Sequence, residues 1–439
     1  MGRIEEIPAL TGLRFLAAIS VAIAHGATLC LKTQSPNQAI QHWLSVGAGF
    51  GMTLFFVLSG FVIHYNYRAL IGTQGIAGTA QFLWARFARL YPLYLLILLI
   101  DLLVAHPHDR MRLDATLTAL PYFLFFCQSW LYKVIDNHAL IYQIGFNAPL
   151  TWSISTEWFF YLAYPAICVA LIRLKRPWAV LVITVCWMIL WTTLASFLFE
   201  RGPNIDAHAV AHFGMVASQV NGFNDSFFRW VLYFSPYLRI GEFILGCLTA
   251  HLYEAFKSRT VGVREASIAE VVFFAVAASI PAILYATYSP DVGFILLKEL
   301  QFNFGLAPSV AMLIFCCARY QLPLARWISS RPMVALGDAS YSIYMIHMLV
   351  FYVAASSYVA LPVNRYTVAV LGIRYVFLLA LIVLISLGLH ATFEKPTRIW
   401  MRGLVLARTP KAAYLLFLLC LVPAILAGGT VILRHALRN

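Results

Sequence analysis

The sequence predicts an all-α polytopic membrane protein, and three observations carry the prediction. Hydrophobic residues make up 62% of the 439 positions and charged residues only 11%, against about 45–50% and about 25% in soluble domains. Mean hydropathy is +0.80. The apolar residues fall in continuous stretches close to the roughly 20 residues that a membrane-crossing helix needs. Only a helix or a closed barrel satisfies backbone hydrogen bonds in lipid.

Eleven stretches qualify, near 10–31, 46–66, 90–105, 150–172, 178–199, 230–253, 268–288, 302–318, 333–360, 369–393 and 412–433. The third is the shortest, and Phe82 to Tyr91 extends it. A further stretch at 117–131 is ambiguous by length, and charge assigns it. With the N-terminus inside and 117–131 not crossing, the cytoplasmic loops collect Arg68, Arg86 and Arg89, then Arg173, Lys175 and Arg176, then Lys257, Arg259 and Arg264. Arg319, Arg326 and Arg331 follow, and last Lys395, Arg398, Arg402, Arg408 and Lys411. If 117–131 crosses, every cluster from Arg173 onward falls outside, against the positive-inside rule. The expectation is about ten or eleven transmembrane helices plus a re-entrant or interfacial segment at 117–131.

The formal charge of +13 belongs mostly to these loops. No nucleic-acid-binding motif is present, so nucleic acid is not an expected partner; the lipid bilayer is. The eight cysteines all lie in apolar stretches without a C-x-x-C, which reads as packing, with no metal site and no disulfide framework. Ala22-Ile23-Ala24 resembles a signal-peptide cleavage site, but Glu5, Glu6 and Arg14 argue for a retained first span. The organisation read is one membrane domain, 1–400, followed by a cytoplasmic basic segment and one further span within 401–439.

Ionisable residues at membrane depth mark functional sites by default. Arg14 and His25 lie eleven positions apart, which in a helix leaves them about 20° apart in azimuth and about 16 Å apart along the axis. A neutral imidazole near its working pH can take a proton from an attacking hydroxyl. Arg86 and Arg89 form an Arg-x-x-Arg pair on one helical face, suited to a phosphate grip or to ordinary interfacial anchoring. Glu157, in Trp152-Ser153-Ile154-Ser155-Thr156-Glu157, opens an apolar span; it orients His25, binds substrate or ties helices together. Arg239 and Glu242 are an i,i+3 pair, read first as a structural ion pair and second as part of a substrate path. Tyr344 and His347 share a face, for interhelical hydrogen bonding or direct chemistry. Walker, G-x-S-x-G and H-E-x-x-H motifs are absent, which weakens ATPase, serine hydrolase and zinc protease readings.

These motifs in this order resemble the acyltransferase-3 family of integral membrane acyltransferases. The segments are Leu10-Thr11-Gly12-Leu13-Arg14 leading to His25, Phe55 to Phe61, Arg86 to Pro92, Trp152 through Tyr161, Glu242 to Gly246, Ser340 through His347, and Glu394-Lys395-Pro396. The resemblance covers residues from about 7 to 400. It implies transfer of an acyl group, often acetyl, from cytoplasmic acyl-CoA as co-substrate to a carbohydrate or other hydroxyl acceptor. It implies a catalytic role for His25, as general base or transient acyl carrier, with Glu157, and donor binding by Arg14, Arg86 and Arg89. Arg239, Glu242, Tyr344 and His347 are left as substrate-binding or structural. Trp158 stands where many relatives place a second Glu. The alternative reading is a transporter or flippase for a lipid-linked sugar or small solute, since buried Arg, Glu and His suit a solute path too. The charge pattern suggests a bacterial inner membrane with the N-terminus cytoplasmic.

Overall fold

The computed structural model describes residues 6–30, 37–108, 113–144, 150–220, 224–289, 295–355 and 365–404. The expected last span, 412–433, lies outside the described residues, as does most of the 401–439 segment. The helices in chain order are α1 (Pro8–Cys30), α2 (Asn37–His108), α3 (Leu113–Leu124), α4 (Trp152–Ile172), α5 (Pro177–Glu200), α6 (Gly202–Phe213), α7 (Phe227–Arg229) and α8 (Pro236–Phe256). They continue with α9 (Val263–Tyr288), α10 (Ile295–Glu299), α11 (Ala307–Arg319), α12 (Pro323–Ile328), α13 (Arg331–Asp338), α14 (Ser340–Ala355), α15 (Arg365–Leu389) and α16 (Lys395–Gly403). The only strands among the described residues are Val134–Ile135 and His138–Ala139, paired antiparallel. The chain is an all-α polytopic membrane protein.

Seven helical runs among the described residues are long and apolar enough to cross a membrane, or eight with the pair Arg331–Asp338 and Ser340–Ala354, bent by 62°. One run, Ile40–Leu103, has 64 residues, about three times what one crossing needs. It is broken at Gly75, whose φ of 54° and ψ of −122° belong to a region that only glycine enters freely. The two arms fold back on each other. Gln81 Nε2 donates to Gln74 Oε1 at 3.1 Å, and the Phe82 ring packs edge-on against Tyr67 at 4.9 Å. The long helix therefore turns back at Gly75, between the stretches read at 46–66 and 90–105.

The ambiguous segment resolves as well. Helix α3 has 12 residues, about 18 Å at the usual rise, well short of the roughly 30 Å hydrocarbon core. After Leu124 the chain leaves helical geometry, with Phe126 at φ 56°. The motif at the start of α4 holds this turn. Ser155 Oγ donates to the Phe126 carbonyl at 2.7 Å. Ser129 Oγ donates to Ser155 Oγ at 2.8 Å, and Trp130 Nε1 donates to the Ser155 carbonyl at 2.9 Å. Thr156 Oγ1 continues the network to the Phe234 carbonyl at 3.1 Å. The two hydroxyls that the sequence offers beside Glu157 thus satisfy a buried non-helical backbone, as a low-dielectric setting demands.

By packing, the chain forms two interleaved units. The first comprises Met1–Asn66, Leu174–Ser196 and Gly241–Phe393. The second comprises Tyr67–Arg173, Phe197–Ile240 and Glu394–Asn439. In the first, α1 packs on α13, α14 and α15. There α2 and α8 meet backbone to backbone. A Cβ on Gly60 would collide with the carbonyl oxygen of Phe243, and one on Gly246 with that of Val57. Close approach through small residues is how helices associate without a hydrophobic driving force. Gly60→Val is expected to lower the melting temperature in detergent or abolish folded protein, since overpacking at a rigid backbone contact costs about 1–3 kcal/mol or more. Size-exclusion profiles and thermal unfolding check this; an unchanged melting temperature would show that the helices separate without cost.

Candidate active site

In the first unit the site starts from α1, which is helical from Pro8 to Cys30 without interruption. Arg14 and His25 therefore share a face, and both side chains are half-buried while most of α1 is buried. Tyr375 anchors the upper part of the helix by donating its hydroxyl to the Ile23 carbonyl at 2.7 Å. His25 Nδ1 lies 2.9 Å from Nε2 of His347 on α14. The two rings are nearly parallel, 15° apart, with centroids at 5.2 Å. His347 is fully buried, and its Nδ1 stands 3.2 Å from the Ile343 carbonyl one turn earlier.

These partners order the protons. A carbonyl only accepts, so His347 carries its proton on Nδ1 and presents Nε2 as an acceptor. His25 then donates through Nδ1, and its Nε2 keeps a free lone pair. The second imidazole thus supplies an orienting contact for His25. Aromatic side chains wall the pair. The Tyr344 ring is 5.7 Å from His347 and Phe351 is 6.4 Å away, edge-on. Tyr344 also packs against Phe55 at 5.6 Å and points its hydroxyl at Met52 Sδ, 3.9 Å away.

Glu242, fully buried, belongs to the same unit. Its Oε1 accepts from Thr53 Oγ1 at 2.8 Å and from the Phe304 backbone N–H at 3.4 Å. It ties α8 to α2 and to the turn before α11. A second imidazole pair joins His64 Nε2 to His251 Nδ1 at 3.0 Å; His251 Nε2 lies 2.9 Å from the Leu174 carbonyl.

In the second unit the Gly75 hairpin brings Tyr67 to Arg86. Arg86 Nη2 donates to the Tyr67 hydroxyl at 2.7 Å, and its guanidinium sits 4.8 Å from the Tyr67 ring centre. Arg86 is only 6% exposed, and its Nε has no partner. Arg89, one turn on, is half-buried. The Arg-x-x-Arg pair therefore splits into a buried and a more accessible cation. Glu157 accepts from the Tyr161 hydroxyl one turn along α4 and lies in electrostatic reach of Arg86. Arg239 donates Nε to the Tyr233 carbonyl at 2.9 Å, with its guanidinium 4.6 Å from the Tyr233 ring and 5.9 Å from that of Trp152.

Trp158 explains its own departure from the expected pattern. It is 2% exposed and packs among Phe87, Phe126 and Tyr161 at 6.0, 5.8 and 6.3 Å. A carboxylate would have no partner among those rings. The sequence reading missed two residues of this cluster. Tyr67 lies just past the stretch read at 46–66 and carried no signal, and Arg402 was counted only as a loop charge. Arg402 stands in electrostatic reach of Tyr67, Arg86 and Arg89.

The fold is that of an integral membrane protein, with an imidazole pair in the first unit and clustered arginines in the second. The family model described as an acyltransferase domain, that of the acyltransferase-3 family, matches residues 7–391, and the chain belongs to this family. It is an acyltransferase. It is similar to the acyltransferase MdmB of Streptomyces mycarofaciens, at 25% identity over 358 residues, covering 79% of this chain and 80% of the relative. It is also similar to the O-acetyltransferase OatA of Staphylococcus aureus, strain NCTC 8325 / PS 47, at 26% identity over 383 residues, covering 83% of this chain and 54% of the relative. The chain thus spans about half the length of OatA. No solved structure matches it.

Proposed function

We propose that this acyltransferase moves an acetyl group from cytoplasmic acetyl-CoA to a hydroxyl of a carbohydrate or similar acceptor, with His25 as general base. The observation that carries the reading is the chain of contacts from the Ile343 carbonyl through His347 to His25. It holds His25 in the tautomer whose Nε2 lone pair is free to take a proton.

In the proposed step, His25 Nε2 removes the acceptor hydroxyl proton as the oxygen attacks the thioester carbonyl. The carbon–sulfur bond then breaks. The CoA thiolate leaves and takes up the proton that His25 holds, so the imidazole returns to its starting state. Two oriented rings fix the base within the site, so no reorganisation is needed when the hydroxyl arrives. Arg86 and Arg89 hold the donor's phosphates. Arg14, on the His25 face of α1, guides the donor's pantetheine arm. Glu157, through Tyr161 and its charge on Arg86, keeps that arginine in place. The positive-inside pattern supports a cytoplasmic N-terminus and an inner-membrane location, and the O-acetyltransferase name of OatA supports a hydroxyl acceptor.

Acyl-CoA consumption separates this reading from a transporter, which would leave the thioester intact. Purified wild type in detergent is expected to release free CoA from acetyl-CoA. Arg86→Ala with Arg89→Ala is expected to raise the apparent KM for acetyl-CoA by about tenfold or more, the scale of a lost charge-assisted hydrogen bond of about 1.5–3 kcal/mol. An unchanged KM in folded double variant would remove the two arginines from donor binding.

A further inference from the structure

We propose that Arg402 and Tyr67 complete a three-arginine cradle with Arg86 and Arg89, and that the cradle binds the phosphates of a nucleoside bisphosphate. The inference rests on the acetyl-CoA reading above and names the residues that would give it its nucleotide selectivity. All four residues lie in the second unit.

The cradle is assembled by two local features. The Gly75 hairpin lays Tyr67 on Arg86, with Nη2 to hydroxyl at 2.7 Å. The short helix α16 is pinned beside the same arm, because Trp84 Nε1 donates to the Met401 carbonyl at 3.0 Å. Trp84 lies two residues before Arg86, and Met401 lies one residue before Arg402. Arg402 is thereby delivered to the Arg-x-x-Arg arm, where it acts on Tyr67, Arg86 and Arg89 together.

The charge balance points to a ligand. Three guanidinium groups act on the Tyr67 phenol, and Glu157 acts on Arg86. Guanidinium groups gathered in this way suit a phosphate dianion. Like charges brought together repel, so the fold holds a cost that a bound dianion would remove. The geometry adds a second indication. Arg86 is 94% buried, and its Nε donor has no partner; a buried donor left unmade costs free energy. Arg402 is exposed and Arg89 half-buried, so the cradle has a closed inner end at Arg86 and an open outer end. Guanidinium forks match phosphate oxygens two at a time.

Phosphate chemistry could come from a nucleotide or from a lipid headgroup, and the test separates them. Adenosine 3′,5′-bisphosphate is titrated into purified full-length protein in nanodiscs, once in neutral lipid and once with phosphatidylglycerol. The wild type is expected to bind it in both. Arg402→Gln is expected to weaken binding about tenfold or more, whereas Arg398→Gln, an equal change in net charge on the same helix, stays within about twofold. Arg402→Lys recovers part of the loss, since it restores charge without the fork. In turnover, Arg402→Gln is expected to narrow the preference for acetyl-CoA over S-acetylpantetheine, which lacks the nucleotide.

Equal bisphosphate affinity in wild type and Arg402→Gln overturns the cradle. So does a wild type that binds no bisphosphate while Arg402→Gln sheds retained phosphatidylglycerol, because a lipid headgroup then fills the site. Acetyl-CoA turnover with Arg402→Gln unaffected would sink the cradle and leave the donor reading intact. A wild type that binds bisphosphate but consumes no acetyl-CoA would do the reverse.

Discussion

His25→Ala is expected to lower acetyl transfer by about 10²–10⁴-fold, the range that a positioned general base contributes. The substitution removes the only ring whose Nε2 lone pair the His347 contact leaves free. It leaves a small void at a half-buried position of α1, so the folded state should persist. The assay is release of free CoA from labelled acetyl-CoA, with acceptor present, by purified wild type and variant of matched size-exclusion profile. Because donor binding is assigned to other residues, the loss should fall on kcat, with little change in KM for acetyl-CoA. Wild-type turnover that survives in His25→Ala would remove His25 from the chemistry. A labelled protein adduct that depends on His25 would replace the base role with an acyl-His intermediate.

The second large effect falls on His347, a positioning residue that acts through His25. His347→Leu removes the acceptor for His25 Nδ1–H. The His25 ring can then turn or adopt its other tautomer, and kcat is expected to fall about 10–100-fold, the scale of a lost orienting partner. His347→Gln places an amide oxygen near the former Nε2 and should keep most of the rate. A packing role would give a different pattern: both variants would lose melting temperature in proportion to their volume change, and neither would separate kcat from stability. If leucine and glutamine lower kcat equally at equal stability, the proton-ordering argument fails.

Trp158 and the 125–131 turn show where local sequence was sufficient and where it was not. The spans were legible because each needs only its own apolar residues; length and composition decide whether a helix can sit in lipid. Even the odd segment at 117–131 could be kept out of the span count by charge bookkeeping in the loops. What holds that segment is different. Ser155, Thr156, Ser129 and Trp130 satisfy one another across about 25 residues of sequence, and no window of the sequence displays that pairing. The same holds for Trp158. The resemblance marks it as a departure, but only its three aromatic neighbours give the reason.

The candidate site divides in the same way. His25, Arg14, Arg86, Arg89 and Glu157 stood out because an ionisable residue at membrane depth is costly and therefore conspicuous in one dimension. His347 was visible for that reason too, but its partner was not. The two imidazoles are 322 positions apart, and periodicity within either helix carries no information about the other. Tyr67 and Arg402 gave no signal, because a tyrosine just past a span and an arginine in a basic loop are the ordinary contents of a membrane protein.

The sequence by itself determined the class of molecule, the places of most of the described spans, and the short list of residues able to do chemistry. These follow from transfer free energies, which are properties of single residues and short windows. The tertiary structure alone decided what each of those residues meets: His25 meets His347, Arg86 meets Tyr67, and Glu242 meets Thr53. Such pairings depend on a glycine hairpin and on close helix contacts between distant segments. They are set by packing and hydrogen-bond satisfaction in a dry interior, where each buried polar group must find a partner wherever the chain has placed one.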